Sequence, residues 1–279
     1  MKITALTYNF IGIPFFSKRY SRRLDFFTKE LAKLQPDVIC LQEVWLNSAK
    51  KKIINVLKDL DYQFYYPSLK FRLCGLLIGV KGKITKKGYV ATNPIIAGFD
   101  YSILEIFGSK GYAFVEFELG KEKIGIFDVH LSPDLGIKFN IGGPYFKVQE
   151  KATSFLVRDI NLLGEGRVMI LGDFNFEQSS PLNQYLIETG KVREVFSHNF
   201  KTSFGGLLGF PSSATDEPDH IFVKNISRKE ILKTEIVWDK PIEGVGVLSD
   251  HAGILVTMNL DNFKKKTSLS SKGFLWVRG

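Results

Sequence analysis

Short apolar runs that stop on polar or ionisable residues constrain this chain more than any other feature. Residues 3–9 alternate and end on Asn9; residues 38–44 read VICLQEV and carry Glu43 near their end. Residues 124–131 carry His130, and residues 167–175 close on Asp173 and Asn175. Asp219 precedes the run 220–224, and Asp250 with His251 precedes the run 254–260. Apolar runs of this length and pattern are read as strands. One carboxylate at one strand end is commonplace. A set of Asn, Glu, His, Asp-x-Asn, Asp and Asp-His calls for strand ends gathered on one edge, where they meet in a single cleft.

Amphipathic stretches separate these runs. Ser21 is placed to cap a helix with Leu24, Phe27, Leu31 and Leu34 on one face, and Pro36 stops it. Residues 47–60 form a second helix with Ile53, Leu57 and Leu60 inward, residues 144–163 a third, and Ser180-Pro181 opens a fourth. Further strands are expected over 73–80, 95–99 and 112–119. In the last of these, Ala113, Val115 and Phe117 face one way, and Phe114, Glu116 and Glu118 the other. Strands that face both a core and helices give an α/β architecture of stacked sheets with helices outside. No internal sequence repeat or linker breaks the chain, so residues 1–260 read as one domain, followed by a basic tail, 261–279, with Lys264, Lys265 and Lys266.

Composition narrows the partners. A 44% hydrophobic fraction with 24 Phe and 10 Tyr supplies a Phe-rich core, and a net charge of +9 favours nucleic acid, phospholipid headgroups or small phosphates. Cys40 and Cys74 lie in apolar runs and read as buried free thiols, which excludes a disulfide framework or a zinc pattern. The N-terminal residues lack a signal-peptide pattern and no apolar run is long enough to span a membrane, so a cytoplasmic, monomeric protein without an obligate protein partner is expected. Basic helices with Phe15, Phe16 and Phe71 suit peripheral membrane contact. Lys50 to Lys52 and Lys81 to Lys87 read as solvated faces.

The residue types at the strand ends suit attack on a phosphate ester. Negative charge on the ester repels nucleophiles, and a hard cation offsets it. Mg²⁺, with Mn²⁺ as a substitute, takes oxygen ligands and needs one or two carboxylates. Glu43 is the first choice of ligand, then the amide oxygen of Asn9, with Asp250 assisting. His251, oriented and made more basic by Asp219, is the candidate general base, and Asp173 is the other candidate to activate water. Asn175 and His130 can donate to the non-bridging phosphate oxygens. His198 and His220 are read as structural.

The order of these motifs resembles the endonuclease/exonuclease/phosphatase superfamily, which includes pancreatic-type DNases, AP endonucleases, inositol polyphosphate 5-phosphatases and neutral sphingomyelinases. The matching stretches are TYNF at Asn9, LQEVW at Glu43, DVHLS at His130, LGDFN at Asp173 and Asn175, EPDHIFV at Asp219, and LSDHAGILV at Asp250 and His251. The resemblance implies a four-layer α/β sandwich, with two central mixed sheets flanked by helices (DNase-like), and a Mg²⁺ or Mn²⁺ site in the cleft. Within the superfamily the chain is most similar to neutral sphingomyelinases, through IGIPFFSKRYSRRLDFF, CGLLIGVKGKI and SKGYAFVEFEL. It departs from them at Val129-His130-Leu131-Ser132, where they carry Thr-His-Leu-His, and at Glu217-Pro218-Asp219-His220, where Arg-Ile-Asp-Tyr is usual. Glu105 is the candidate for a second acidic ligand. The function this implies is hydrolysis of a phosphodiester or phosphomonoester, with a phospholipid headgroup as the sphingomyelinase-like substrate. The alternatives are a nuclease or DNA-repair endonuclease, and an inactive binding protein on the same fold.

Overall fold

A computed structural model describes residues 1–12, 19–68, 73–92, 108–133, 143–195 and 218–260. Several expectations lie outside these residues: the strand over 95–99, Phe15, Phe16, Phe71, Glu105, His198 and the basic tail.

The strands form two six-stranded sheets. The first runs β11 (Ile231–Val237), β12 (Gly253–Asn259), β1 (Lys2–Asn9), β2 (Val38–Gln42), β4 (Leu77–Lys81) and β3 (Tyr62–Tyr65). The second runs β5 (Lys83–Ala91), β6 (Gly111–Leu119), β7 (Glu122–His130), β8 (Arg167–Asp173), β10 (Asp219–Lys224) and β9 (Arg193–Glu194). Both are mixed, each with a single parallel pair, β1–β2 and β7–β8. Helix α1 (Tyr20–Leu34) makes the first parallel crossover and α3 (Pro144–Leu162) the second; α2 (Asn47–Leu57) and α4 (Pro181–Gly190) follow β2 and β8.

Period-two alternation sorts the strand residues into layers. Ile3, Ala5, Val38, Cys40 and Ile78 from one sheet meet Ala113, Val115, Phe117, Ile126, Met169, Leu171 and Ile221 from the other in a core between the sheets. The alternate residues Leu6, Tyr8, Ile39 and Leu41 pack under α1 and α2 with Phe27, Leu31, Ile53 and Leu57. Tyr112, Phe114, Phe127, Val168 and Ile170 pack under α3 and α4 with Leu156, Ile160, Leu182 and Leu186. Four layers result, helix–sheet–sheet–helix. Cys40 and Cys74 are buried free thiols.

Local details correct the sequence reading. Helix α1 starts at Tyr20 behind a left-handed Arg19 with no side-chain cap, so Ser21 lies inside the first turn. Ser180 does cap α4, accepting from Leu182 N at 3.2 Å. Strand β2 stops at Gln42, and Glu43 turns away with φ 58°. Lys50 is not solvated: it is buried, with its ammonium on the carbonyl of Cys74 and over the Tyr66 ring. Residues 83–91 form a strand, in which Lys86 pairs with the buried Glu116 at 3.2 Å. Among the described residues no helix is long and apolar enough to cross a membrane.

Candidate active site

At one end of the inter-sheet core the inward-facing residues change from apolar to polar. Along β1 the inward series Ile3, Ala5, Thr7 ends on Asn9; along β2 it ends on Gln42, along β7 on His130 and along β8 on Asp173. Register fixes the neighbours: Asn9 sits beside Gln42, His130 beside Asp173, and Asp173 beside Asp219. The loop before β12 brings in Ser249, Asp250 and His251. Every sequence-selected site side chain among the described residues therefore reaches one edge.

Asn9 Nδ2 donates to Asp173 Oδ2 at 2.8 Å and to Glu43 Oε1 at 3.3 Å. Its Oδ1 accepts from the Ile11 amide at 3.0 Å. That backbone donor needs an oxygen opposite it, so the carboxamide is oriented with N–H groups toward the carboxylates. The Asn9 oxygen, expected from the sequence to reach a cation, accepts from the Ile11 amide and keeps a second lone pair. His130 Nε2 lies 3.6 Å from both Glu43 Oε1 and Asp173 Oδ2, and has no hydrogen bond among the described residues. Trp45 donates its indole N–H to Glu43 Oε2 at 3.4 Å.

His251 Nδ1 pairs with Asp219 Oδ2 at 2.6 Å, and its Nε2 lies 3.9 Å from Asp173 Oδ2. Ser249 Oγ donates to the carbonyl of Asn9 at 2.7 Å and accepts from the His251 amide at 3.2 Å, locking this loop to the end of β1. Asp250 Oδ1 is 4.0 Å from His251 Nε2. Asp250 lies outside both ligand clusters found among the described residues, and its charge acts on Glu43 as well as on His251. Asn175, at φ 54°, gives its backbone N–H to Asp173 Oδ1 at 2.9 Å and one amide hydrogen to Leu131 O at 2.9 Å. The other amide hydrogen makes no hydrogen bond among the described residues. His220 is structural as expected: it points to the opposite face, between Glu194 at 2.7 Å and the carbonyl of Phe176 at 2.8 Å.

Burial sets the electrostatics. It raises the Glu43 carboxyl and, aided by Asp219, pushes Asp173 up to about 7. It holds His130 neutral, well below the usual imidazole range. For His251 burial alone would lower the value, but Asp219, Asp173 and Asp250 outweigh it and raise the imidazole well above its ordinary range. Lys110, which the sequence reading did not select, is buried just before β6 and draws both Glu43 and Asp173 downward. The signal was present: Lys110 is another ionisable residue bordering an apolar strand.

Glu43, His130 and Asp173 form one cluster whose ligand atoms lie within 4.8 Å of one another, and Asp173, Asp219 and His251 form a second. The first offers two hard carboxylate oxygens and an imidazole nitrogen without a hydrogen bond among the described residues, a donor set that fits a divalent cation keeping several waters.

A family model for endonucleases, exonucleases and phosphatases matches residues 7–251 of the chain. The chain belongs to the endonuclease/exonuclease/phosphatase family. A putative neutral sphingomyelinase of Drosophila melanogaster is 23% identical over 274 residues, covering 93% of this chain and 61% of that protein, so the chain spans less than two thirds of its relative's length. Among solved structures, sphingomyelinase C from Streptomyces griseocarneus matches with a TM-score of 0.68 at 17% identity, over 93% of this chain and 100% of that one. D. rerio TDP2 complexed with single strand DNA product matches at 0.67 and 17%, over 93% and 99%. At such identities these two show the family's DNase-like fold.

Proposed function

We propose that the protein is a Mg²⁺-dependent phosphodiesterase of the sphingomyelinase kind, hydrolysing the headgroup ester of a phospholipid. One observation carries the reading: Asn9, Glu43, His130, Asp173, Asp219 and His251, far apart in sequence, share hydrogen bonds and close approaches at one edge of the sheets. The similarity to a putative neutral sphingomyelinase over 93% of this chain favours the lipid ester over DNA.

Glu43 is the residue best placed to hold the cation, and His130 and Asp173 border the same space. A bound divalent cation would neutralise phosphate charge and stabilise the leaving oxygen. Asp173 takes the proton from the attacking water, while the Asn9 amide and the Asn175 backbone N–H fix its two oxygens. His251, kept protonated by Asp219, donates from Nε2 to a non-bridging phosphate oxygen as charge builds there. Only 3.9 Å separates His251 Nε2 from Asp173, too little for the two to stand at opposite ends of an in-line displacement. Because Asp219 favours the protonated His251, the first candidate for the base, this reading gives the base role to the other candidate, Asp173. The remaining Asn175 amide hydrogen and Lys110 suit the other phosphate oxygens.

The test is hydrolysis of sphingomyelin in mixed micelles and of single-stranded DNA, each with Mg²⁺ and then with EDTA. Sphingomyelin cleavage that chelation abolishes is the expected result. Cleavage of DNA alone would move the protein to the nuclease reading, and activity that survives EDTA would remove the cation from the mechanism.

A further inference from the structure

Each crossover helix sends one buried polar side chain back toward the site. In α1, Arg23 is fully buried, with its guanidinium 5.0 Å from the centre of the Phe10 ring. Its Nη2 donates to Phe10 O at 2.6 Å and its Nε to Leu248 O at 2.5 Å. Phe10 follows Asn9, and Leu248 lies two residues before Asp250. In α3, Gln149 is 3% exposed. Its Nε2 donates to Ser132 O at 2.9 Å and to Asn175 O at 2.7 Å. Ser132 is two residues past His130, and Asn175 two past Asp173.

Core packing alone does not select these residues. A buried guanidinium costs desolvation that an apolar side chain of the same length avoids. Among the described residues Arg23 makes no ion pair within 4.0 Å, and its Nη1 has no hydrogen-bond partner. Both side chains spend their donors on the carbonyls of two strand-end loops, and each of those loops carries site residues.

We propose that Arg23 and Gln149 are positioning residues, each fixing the spacing between two loops: Arg23 between those of Asn9 and of Asp250–His251, Gln149 between those of His130 and of Asp173–Asn175. Loops held this way keep the acid, the base and the cation ligands in register, and small misplacements at such sites are expensive in rate. The activity readout rests on the phosphodiesterase reading; the placement readout does not.

The experiment compares Arg23→Met, Arg23→Lys, Gln149→Met and Gln149→Glu with the unaltered protein and with Leu186→Ala, a core truncation under α4. Unfolding temperature, kcat and KM are measured on the folded fraction, and the ring resonances of the four histidines are followed by NMR. The expected result is a fall in kcat of about 10–100-fold for both Met variants, a size typical of lost supporting hydrogen bonds around a site, with KM little changed. Arg23→Lys recovers part of the loss, and Gln149→Glu, which turns an acceptor toward two carbonyls, recovers none. His251 resonances move in Arg23→Met and His130 resonances in Gln149→Met. If the Met variants do not fold, Arg23→Lys and Gln149→Glu are read against the same resonances. The proposal is overturned if the folded variants lose stability as Leu186→Ala does while keeping native kcat and native histidine resonances. An inactive unaltered protein refutes the phosphodiesterase reading instead, and the resonances still decide this one.

Discussion

The two sheets share one pattern of strand pairing and use it differently. The strands β11-β12-β1-β2-β4-β3 and β5-β6-β7-β8-β10-β9 follow the same succession of antiparallel and parallel pairs, with a helix crossing between the parallel two. In the second sheet the last inward position of β8 is itself the carboxylate, Asp173. In the first sheet the equivalent inward position holds Gln42, which turns inward to Asp128 Oδ1 at 2.6 Å. The carboxylate is the next residue, Glu43, swung into the cleft by a left-handed φ of 58°. The Glu43 side chain keeps 17% of its surface exposed, Asp173 only 2%. One frame thus yields a carboxylate at the cleft mouth, suited to a hydrated cation, and a buried one that titrates near neutrality, suited to proton transfer.

The largest effect tests that division directly. Asp173→Asn should lower kcat by about 10²–10⁴-fold, the usual cost of a lost base, while a cation-induced rise in unfolding temperature persists, reduced by the loss of one carboxylate at the cluster's edge. Glu43→Gln should do the reverse and abolish the cation response. If both variants lose the same property, the two carboxylates do not divide the work.

The next effect is a pH trend in the cation-free protein. Asp173 titrates at about 7 against an ordinary 3.8, so the folded state holds a proton that the unfolded chain releases. Its contribution to stability is complete below about pH 4 and is lost as the pH rises through 7. Asp173→Asn should flatten this slope, leaving the variant the more stable of the two above neutrality. Parallel curves for the two proteins in chemical denaturation would place the buried proton elsewhere.

A smaller effect probes the swung turn. A Cβ at Gly75 would lie 2.9 Å from Glu43 Cα and 3.2 Å from Trp45 Cε3. Gly75→Ala should therefore cost about 1–3 kcal/mol, as overpacking does, and weaken the cation response, both read from thermal unfolding with and without Mg²⁺. Unchanged values would mean that the Glu43 turn has slack.

How far the sequence could be read follows from burial. The interior strands β1, β2, β4, β6, β7, β8, β10 and β12 announce themselves because both faces are covered. The strands that escaped, β3, β5, β9 and β11, are the four edges of the two sheets. Edge strands carry charges on an open face, as in Lys83-Ile84-Thr85-Lys86 and Leu232-Lys233-Thr234-Glu235, and β5 and β11 each contain a register shift. The shared pairing pattern of the sheets left no sequence repeat because it resides in backbone hydrogen bonds, which different side chains can satisfy equally well. At the site, residue types gave the membership, since chemistry selects Glu, His and Asp. Orientation did not follow: which way Asn9 turns its amide depends on the Ile11 N–H, and where Asp250 stands depends on the Ser249 lock. Lys110 escaped because it directly precedes a strand, where a single lysine in sequence is indistinguishable from a solvated strand end.

Crystals soaked in Mn²⁺ offer the most direct test of the central claim, that separate strand ends build one cation site. The anomalous map should show a single strong peak within coordination distance of a Glu43 carboxylate oxygen, bordered by His130 and Asp173 and lost in Glu43→Gln. A peak elsewhere on the molecule, or none at saturating Mn²⁺ in crystals of the intact fold, would contradict it.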